Sequence, residues 1–408
     1  MHARLSSTGS AILFSFGLLR PCLAAAPNSS EANWSVWRGL NHDGISIDSK
    51  WKPESLAPVP KIAWKTNVGD GYSAVCVSGA SVFTMGFSKG MNHVVCLNIT
   101  DGKEIWRHSY ASGPGSYPGP RATPILDEDL IFTVGQEGQI VCLDAVKGTV
   151  KWQKAITQDF QGAPPQWGHS ATPIVDGNLL VLNAATHGVA LDKKTGKKEW
   201  TSPAGVCGYS APVLYKSGAK KCLAIFGAKA LYGVDLSSGQ KLWSHPWETS
   251  YDVNAPDPIV DGDKVFITSG YGKGCAVIDI AGGSPKVVWQ NKAIAAHFSS
   301  CVLSDGHIYG IHGNTGGGTL KCLDIKTGTE RWAKDLGFGG FMVADKKIIM
   351  MNEKGSLYVA HLKPDAYTEI ASAKDILSKT CWTSPVFCRG YIFCRNHKGD
   401  LVCVDVSK

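Results

Sequence analysis

The sequence predicts an all-β chain: an eight-bladed β-propeller of four-stranded blades, with tryptophan-docking motifs and a ring closed between N- and C-terminal strands. Three observations carry this. A phrase of Asp or Asn, Gly four residues on and Trp eight residues on recurs at Asn98…Trp106, Asp144…Trp152, Asp192…Trp200, Asp235…Trp243 and Asp324…Trp332, with a stretched copy at Asp279…Trp289. Successive tryptophans from Trp106 to Trp332 are 46, 48, 43, 46 and 43 residues apart, the period of a four-stranded blade. The two chain ends are complementary half-phrases. Ile62-Ala63-Trp64-Lys65 has the Trp strand without an Asp-Gly turn before it, and Leu401–Asp405 has the Asp strand without a Trp after it. Pairing them closes the ring and removes the open edges an array would expose.

Taken in order, residues 1–26 read as a secretory signal. His2 and Arg4 precede the apolar run 11–19, and Leu23-Ala24-Ala25-Ala26 suits cleavage. That run is too short to span a bilayer, and no later segment is continuously apolar enough to do so. Cys22 raises lipidation, although Leu19-Arg20-Pro21 before it lacks the small residues such a site wants. Residues 27–60 form a polar, Pro-containing lead with Trp34, Trp37 and Trp51, expected to pack across the ring as a strap because exposed tryptophans are a liability.

Residues 61–408 are the propeller. In each unit an Asp precedes a Gly turn whose amides it can bond, Gly supplies positive φ, and the Trp brings a large apolar face with an N–H needing an acceptor. The expected docking residues are Trp64, Trp106, Trp152, Trp200, Trp243, Trp289 and Trp332. A degenerate unit at residues 357–371 has His361 in place of the Asp and no Trp. Each blade opens with a short innermost strand rich in Ser, Ala, Thr and Pro, where blades converge and space narrows. Such blades bury their faces against two neighbours, so the chain escapes the size limit on a single core.

Composition narrows the function. The formal charge of +7 is diffuse, with no basic stripe or helix, which argues against nucleic acid as a partner. Thirteen cysteines suggest disulfides in an exported chain, but Cys96, Cys142, Cys322 and Cys403 share one repeat position and therefore lie far apart around the ring. A local bridge among Cys381, Cys388 and Cys394 stays open. The Gly-rich runs 270–274 and 312–318 link strands and read as β-turns rather than nucleotide cradles.

At the openers, Tyr72, Arg121, Trp167, His169, Tyr209, Asn254, His297 and Trp382 place aromatic faces, one fixed cation and imidazoles where blades converge on one channel mouth. Convergent polar and aromatic groups in a concavity are the default binding-site expectation; the alternative is that they plug the channel and bond one another. Arg121 suits a carboxylate or a quinone oxygen through its planar fork, and the aromatics could sandwich a flat ligand.

The Asp-x-x-Thr-Gly-x-x-x-Trp phrase resembles the tryptophan-docking repeat of pyrroloquinoline-quinone-type propellers, over roughly Trp34 to the C-terminus. Two kinds of member share that repeat: the eight-bladed quinoprotein alcohol dehydrogenases, and the propeller lipoprotein of the outer-membrane β-barrel assembly machinery, which binds partners and catalyses nothing. Trp37-Arg38-Gly39…His42-Asp43-Gly44 and Gly119–Pro124 are similar to exported bacterial propellers of the superfamily. The resemblance implies a periplasmic or otherwise exported, monomeric module that binds or scaffolds a protein partner or small molecule. Its alternative implication is an alcohol or sugar dehydrogenase holding pyrroloquinoline quinone with calcium. The vicinal cysteine pair common in those enzymes is missing, as are their long inter-blade insertions. Calcium would draw on Asp70, Asp252, Asn254 and Asp257.

Overall fold

A computed structural model describes residues 33–407. The expected signal 1–26, with Cys22, lies outside the described residues. Seven antiparallel four-stranded meanders follow one another over residues 76–111, 125–155, 174–201, 213–246, 259–291, 302–335 and 339–373, forming blades 1 to 7. The eighth is composite. Val386–Cys388, Tyr391–Arg395 and Asp400–Asp405 come from the C-terminus, and Lys61–Asn67 supplies the outer strand, with Trp64 opposite Cys403. The ring therefore closes as its two half-phrases require, and Lys61 Nζ reaches Asp405 Oδ2 at 2.6 Å on the closing strand. A second clamp was not legible in the sequence. Arg395, buried in blade 8, donates to the carbonyl oxygens of Met85 at 2.7 Å, Ser73 at 2.9 Å and Gly69 at 3.1 Å, tying blade 8 to the start of blade 1.

The repeated phrase works between blades rather than within one. Six of the seven docking indoles donate to a carbonyl at the corresponding turn of the next blade: Trp64 to Ile99 at 2.8 Å, Trp106 to Ala145 at 3.0 Å, Trp152 to Lys193 at 2.9 Å and Trp200 to Leu236 at 2.9 Å. Trp289 and Trp332 do the same to Ile325 and Lys363. The turn glycine lies under the indole. A Cβ on Gly148 or Gly196 would sit 2.5 or 2.7 Å from Trp106 or Trp152, and both glycines have positive φ, so this position excludes other residues on two counts. The preceding Asp caps the turn: Asp192 Oδ1 accepts from the amides of Lys194 and Thr195, and Asp324 Oδ1 from those of Lys326 and Thr327. Opposite the Trp, across the strand pair, stand the repeated cysteines Cys96, Cys142, Cys322 and Cys403. They are small residues that leave room for the indole. Burial pushes the Cys142 thiol up to about 12, and no disulfide joins any of the twelve described cysteines, Cys381, Cys388 and Cys394 included.

Two joints depart from the pattern, each for a physical reason. The stretched turn after Asp279 carries Gly283 out of contact with any neighbour, so Trp243 instead donates to the Tyr215 hydroxyl of its own blade at 3.1 Å. Blade 7 ends in Glu369–Ala373, which has no Trp. There residues of the N-terminal lead fill the joint: Trp51 packs on Phe387 with ring centroids 4.7 Å apart, Leu56 is fully buried, and the Lys52 amide bonds the Val406 carbonyl.

The same lead crosses the channel. Trp34 bridges to Val77 of blade 1, the Ser35 carbonyl accepts from Leu126 of blade 2, and Trp37 Nε1 donates to Asp257 of blade 5 at 2.7 Å. Arg38 donates to the Cys301 carbonyl of blade 6 at 2.6 Å, and Ile45–Ser46 adds a parallel fifth strand to blade 7 beside Val343–Ala344. The openers differ from expectation in one respect: except in blade 7, whose strand begins at Gly339, they run ahead of the innermost strands, which start at Cys76, Ile125, Ile174 and their counterparts. Their bonds go sideways to the adjacent opener. The Ala74 amide donates to Thr123 Oγ1, the Thr123 amide to Thr172 Oγ1, the Ala211 amide to Asp257 Oδ1 and the Asp257 amide to Ser300 Oγ. Short hydroxyl and carboxylate side chains bridge blade to blade here, which accounts for the Ser and Thr content of these segments. The Gly-rich runs 270–274 and 312–318 form hairpin turns, as expected.

Candidate ligand-binding site at the channel mouth

Above the lead's crossing, the openers and inter-strand loops surround a cavity of about 380 Å³. Its rim is a closed circuit of aromatic rings. Tyr117 lies 6.0 Å from Trp382, which lies 5.4 Å from Phe298; His297 follows at 4.9 Å and Tyr271 at a further 4.9 Å. Tyr251, Trp167 and again Tyr117 complete the loop at 5.4, 6.5 and 5.7 Å. Edge-on and tilted contacts at these distances are individually favourable. Tyr72 stacks on Trp382 from inside, with ring planes 19° apart. Trp37, held by Asp257, contributes to the floor.

Of the eight residues expected here, the structure brings six to the cavity: Tyr72, Arg121, Trp167, Tyr209, His297 and Trp382. Two are turned away. His169 is buried, with Nδ1 3.7 Å from Cys207 Sγ, and burial lowers its pKa to about 4. The Asn254 side chain is fully buried, and its amide donates to the carbonyl oxygens of Gly227, Ala228 and Trp247. It orders a loop. Both misplacements have one cause: successive residues of an extended segment face opposite ways, and position in the opener does not say which face meets the channel.

The sequence reading missed Trp37, Tyr117, Tyr251, Tyr271 and Phe298. Tyr117 follows Gly113-Pro114-Gly115-Ser116, and Tyr271 is flanked by Gly270 and Gly272. A lone large aromatic in a Gly-rich turn, which nothing local can bury, was the available signal.

Among the described residues lining the cavity, only Asp257 and Arg121 carry charge. Asp257 is spoken for by Trp37, the Ala211 amide and Arg38, whose Nε is 3.7 Å away; burial raises its pKa although Arg38 opposes the shift. Arg121 is different. It donates one hydrogen bond, from Nη2 to the Tyr117 carbonyl at 3.0 Å, and its guanidinium lies 5.9 Å from the Tyr72 ring centroid. No carboxylate pairs with it among the described residues. Burial lowers the His297 pKa, leaving it neutral at pH 7.

The quinone with calcium is a poor match to these residues. Asp257 is committed as above, Asn254 to backbone, and Asp252 to Lys229 at 2.7 Å. Among the described residues no three His, Cys, Asp or Glu side chains are grouped to hold a metal ion, whereas calcium takes six to eight oxygens. One guanidinium also faces what would be a multiply charged ligand.

Tryptophan-docked blades in an eight-fold closed ring place the chain among the pyrroloquinoline-quinone-type repeat propellers, whose members include both assembly factors and alcohol dehydrogenases. Within that class, residues 90–334 match the family described as outer membrane protein assembly factor BamB, and the chain belongs to it. It is 28% identical over 242 residues to the BamB of Burkholderia pseudomallei, covering 56% of this chain and 57% of that one. To the BamB of Yersinia pestis it is 24% identical over 380 residues, covering 86% and 82%. A shorter match, 22% over 190 residues and 26% of its length, is to a 1-butanol dehydrogenase (cytochrome c) of Thauera butanivorans. Among solved structures, BamB from Moraxella catarrhalis superposes with a TM-score of 0.61 at 13% identity, covering 85% of this chain and all of that one. The quinohemoprotein alcohol dehydrogenase of Comamonas testosteroni does so at 0.71 and 11%, covering 92% and 80%. At these identities both show the shared fold alone.

Proposed function

We propose that this chain is an exported, monomeric propeller that binds and scaffolds a protein partner in outer-membrane assembly, working in the periplasm. The family match over residues 90–334 is the observation that carries the reading, and two curated relatives are named as assembly factors. The geometry is in keeping with it. The aromatic rim leaves Tyr251 58% and Tyr117 44% exposed, amphipathic rings of the kind concentrated at contact surfaces. A photo-crosslinking residue in place of Tyr251, introduced in the native host, tests the proposal. It should capture a component of outer-membrane assembly, and loss of the chain should lower the levels of outer-membrane proteins. Absence of both effects would refute it.

A second reading, a quinone-dependent alcohol or sugar dehydrogenase, is favoured by the butanol dehydrogenase match. The commitment of Asp257, the carboxylate lining the mouth, to Trp37 and the Ala211 amide weighs against it, and an assay of alcohol-dependent dye reduction discriminates the two.

A further inference from the structure

The mouth also carries a signature of small-ligand chemistry that a scaffold does not need. Arg121 projects into a space walled by aromatic rings, where burial disfavours its charge and lowers its pKa. A guanidinium has five donor hydrogens, and one bond is made here. Its remaining donors are left for solvent or a ligand, and a carboxylate is the group that meets a guanidinium fork through two charged bonds. The anion's charge follows from the lining: Asp257 is neutralised by Arg38, His297 is neutral, and Arg121 stands alone. The lining therefore balances one negative charge. The rest of the wall sets the body of the ligand, since Tyr72, Trp167, Tyr209 and Trp382 present faces and edges suited to a flat ring.

We propose that the channel mouth binds a ring-bearing monocarboxylate, the carboxylate paired with Arg121 and the ring held within the aromatic circuit. The proposal rests on reading the mouth as a binding site, and it is independent of any membrane partner. Two sources share this chemistry, a free aromatic acid and the C-terminus of a polypeptide ending in an aromatic residue.

The test is titration of the purified full chain, followed by tryptophan fluorescence and calorimetry. N-acetylphenylalanine should bind saturably and N-acetylphenylalaninamide should not. Ala-Ala-Phe with a free C-terminus, compared with N-acetylphenylalanine, distinguishes the sources: tighter binding of the tripeptide assigns a chain end, and weaker binding assigns a free acid. Arg121→Gln should weaken binding by roughly 10- to 100-fold, the range for losing a charged hydrogen-bonded pair, with an unchanged melting temperature. Trp382→Leu, with Arg121 retained, is a second folded probe and should also weaken binding. Equal affinity for acid and amide would overturn the proposal, as would full binding by Arg121→Gln, or no saturation by either acid at millimolar concentration. Tighter binding of pyrroloquinoline quinone than of both acids would overturn the one-charge argument. These outcomes are separable from the crosslinking result, which can fail while the titration succeeds.

Discussion

Replacing Gly196 by Ala probes the inter-blade joint more cleanly than removing a tryptophan, because Gly177 of the same blade provides a matched control. Both have positive φ, +68° and +59°, so each substitution incurs a similar backbone cost, roughly 1–2 kcal/mol for an L-residue held in the left-handed region. They differ in what the new methyl meets. At Gly177 nothing lies within 4 Å, whereas at Gly196 the Cβ would lie 2.7 Å from the Trp152 indole. Pushing that ring off its turn adds about 1–3 kcal/mol of overpacking and strains the 2.9 Å bond from Trp152 to the Lys193 carbonyl. Gly196→Ala is therefore expected to cost about 1–3 kcal/mol more than Gly177→Ala in urea unfolding. Trp152→Ala alone should cost about 3–5 kcal/mol, the loss for a buried aromatic. In that background the excess at Gly196 should vanish, since the partner of the clash is gone. Equal destabilisation by the two glycine variants, or an excess that survives removal of Trp152, would refute the docking account.

Three further outcomes follow from the same structure. Deleting residues 405–408 removes the Lys61–Asp405 contact and the buried Val406 from the closing strand, so it should sharply lower the melting temperature; an unchanged melt would mean the closure contributes little. Burial opposes ionisation of Asp405, but the Lys61 and Ser407 hydrogen bonds outweigh it and hold its pKa at about 2, below the ordinary 3.8. Its contribution is thus full above about pH 4 and is lost as pH falls towards 2, and Asp405→Asn should flatten that part of the acid unfolding profile. His169, lowered to about 4 from 6.5 by burial, takes up a proton in the unfolded chain before the folded one. Stability should therefore decline as pH falls from 6.5 towards 4, and a His169→Gln profile with the same slope over that window would contradict the burial argument.

The repeat made the ring legible. Spacing of Asp, Gly and Trp is a local signal written many times, and the two end half-phrases imply that the Trp64 strand pairs with the 401–405 strand. Single-copy features were not legible in this way. The path of residues 33–56 across the channel depends on partners such as Asp257 and Cys301, more than two hundred residues away, and Arg395 bonds to backbone carbonyls, which have no sequence signature. At the mouth, residue type identified Arg121 and Trp382, but the facing of His169 and Asn254 is set by a half-turn of extended backbone that composition does not record. Tyr117, Tyr251 and Tyr271 sit on loops whose reach towards the axis emerges only once the blades are placed.

The measurement that bears most directly on the central claim, a binding propeller rather than a dehydrogenase, is alcohol-dependent dye reduction by the purified full chain supplied with pyrroloquinoline quinone and calcium. With Asp257 committed to Trp37 and Arg38, Asn254 to backbone, and Asp252 to Lys229, the account predicts no turnover above the protein-free control. Saturable turnover that Arg121→Gln abolishes would contradict it and make the channel mouth an active site.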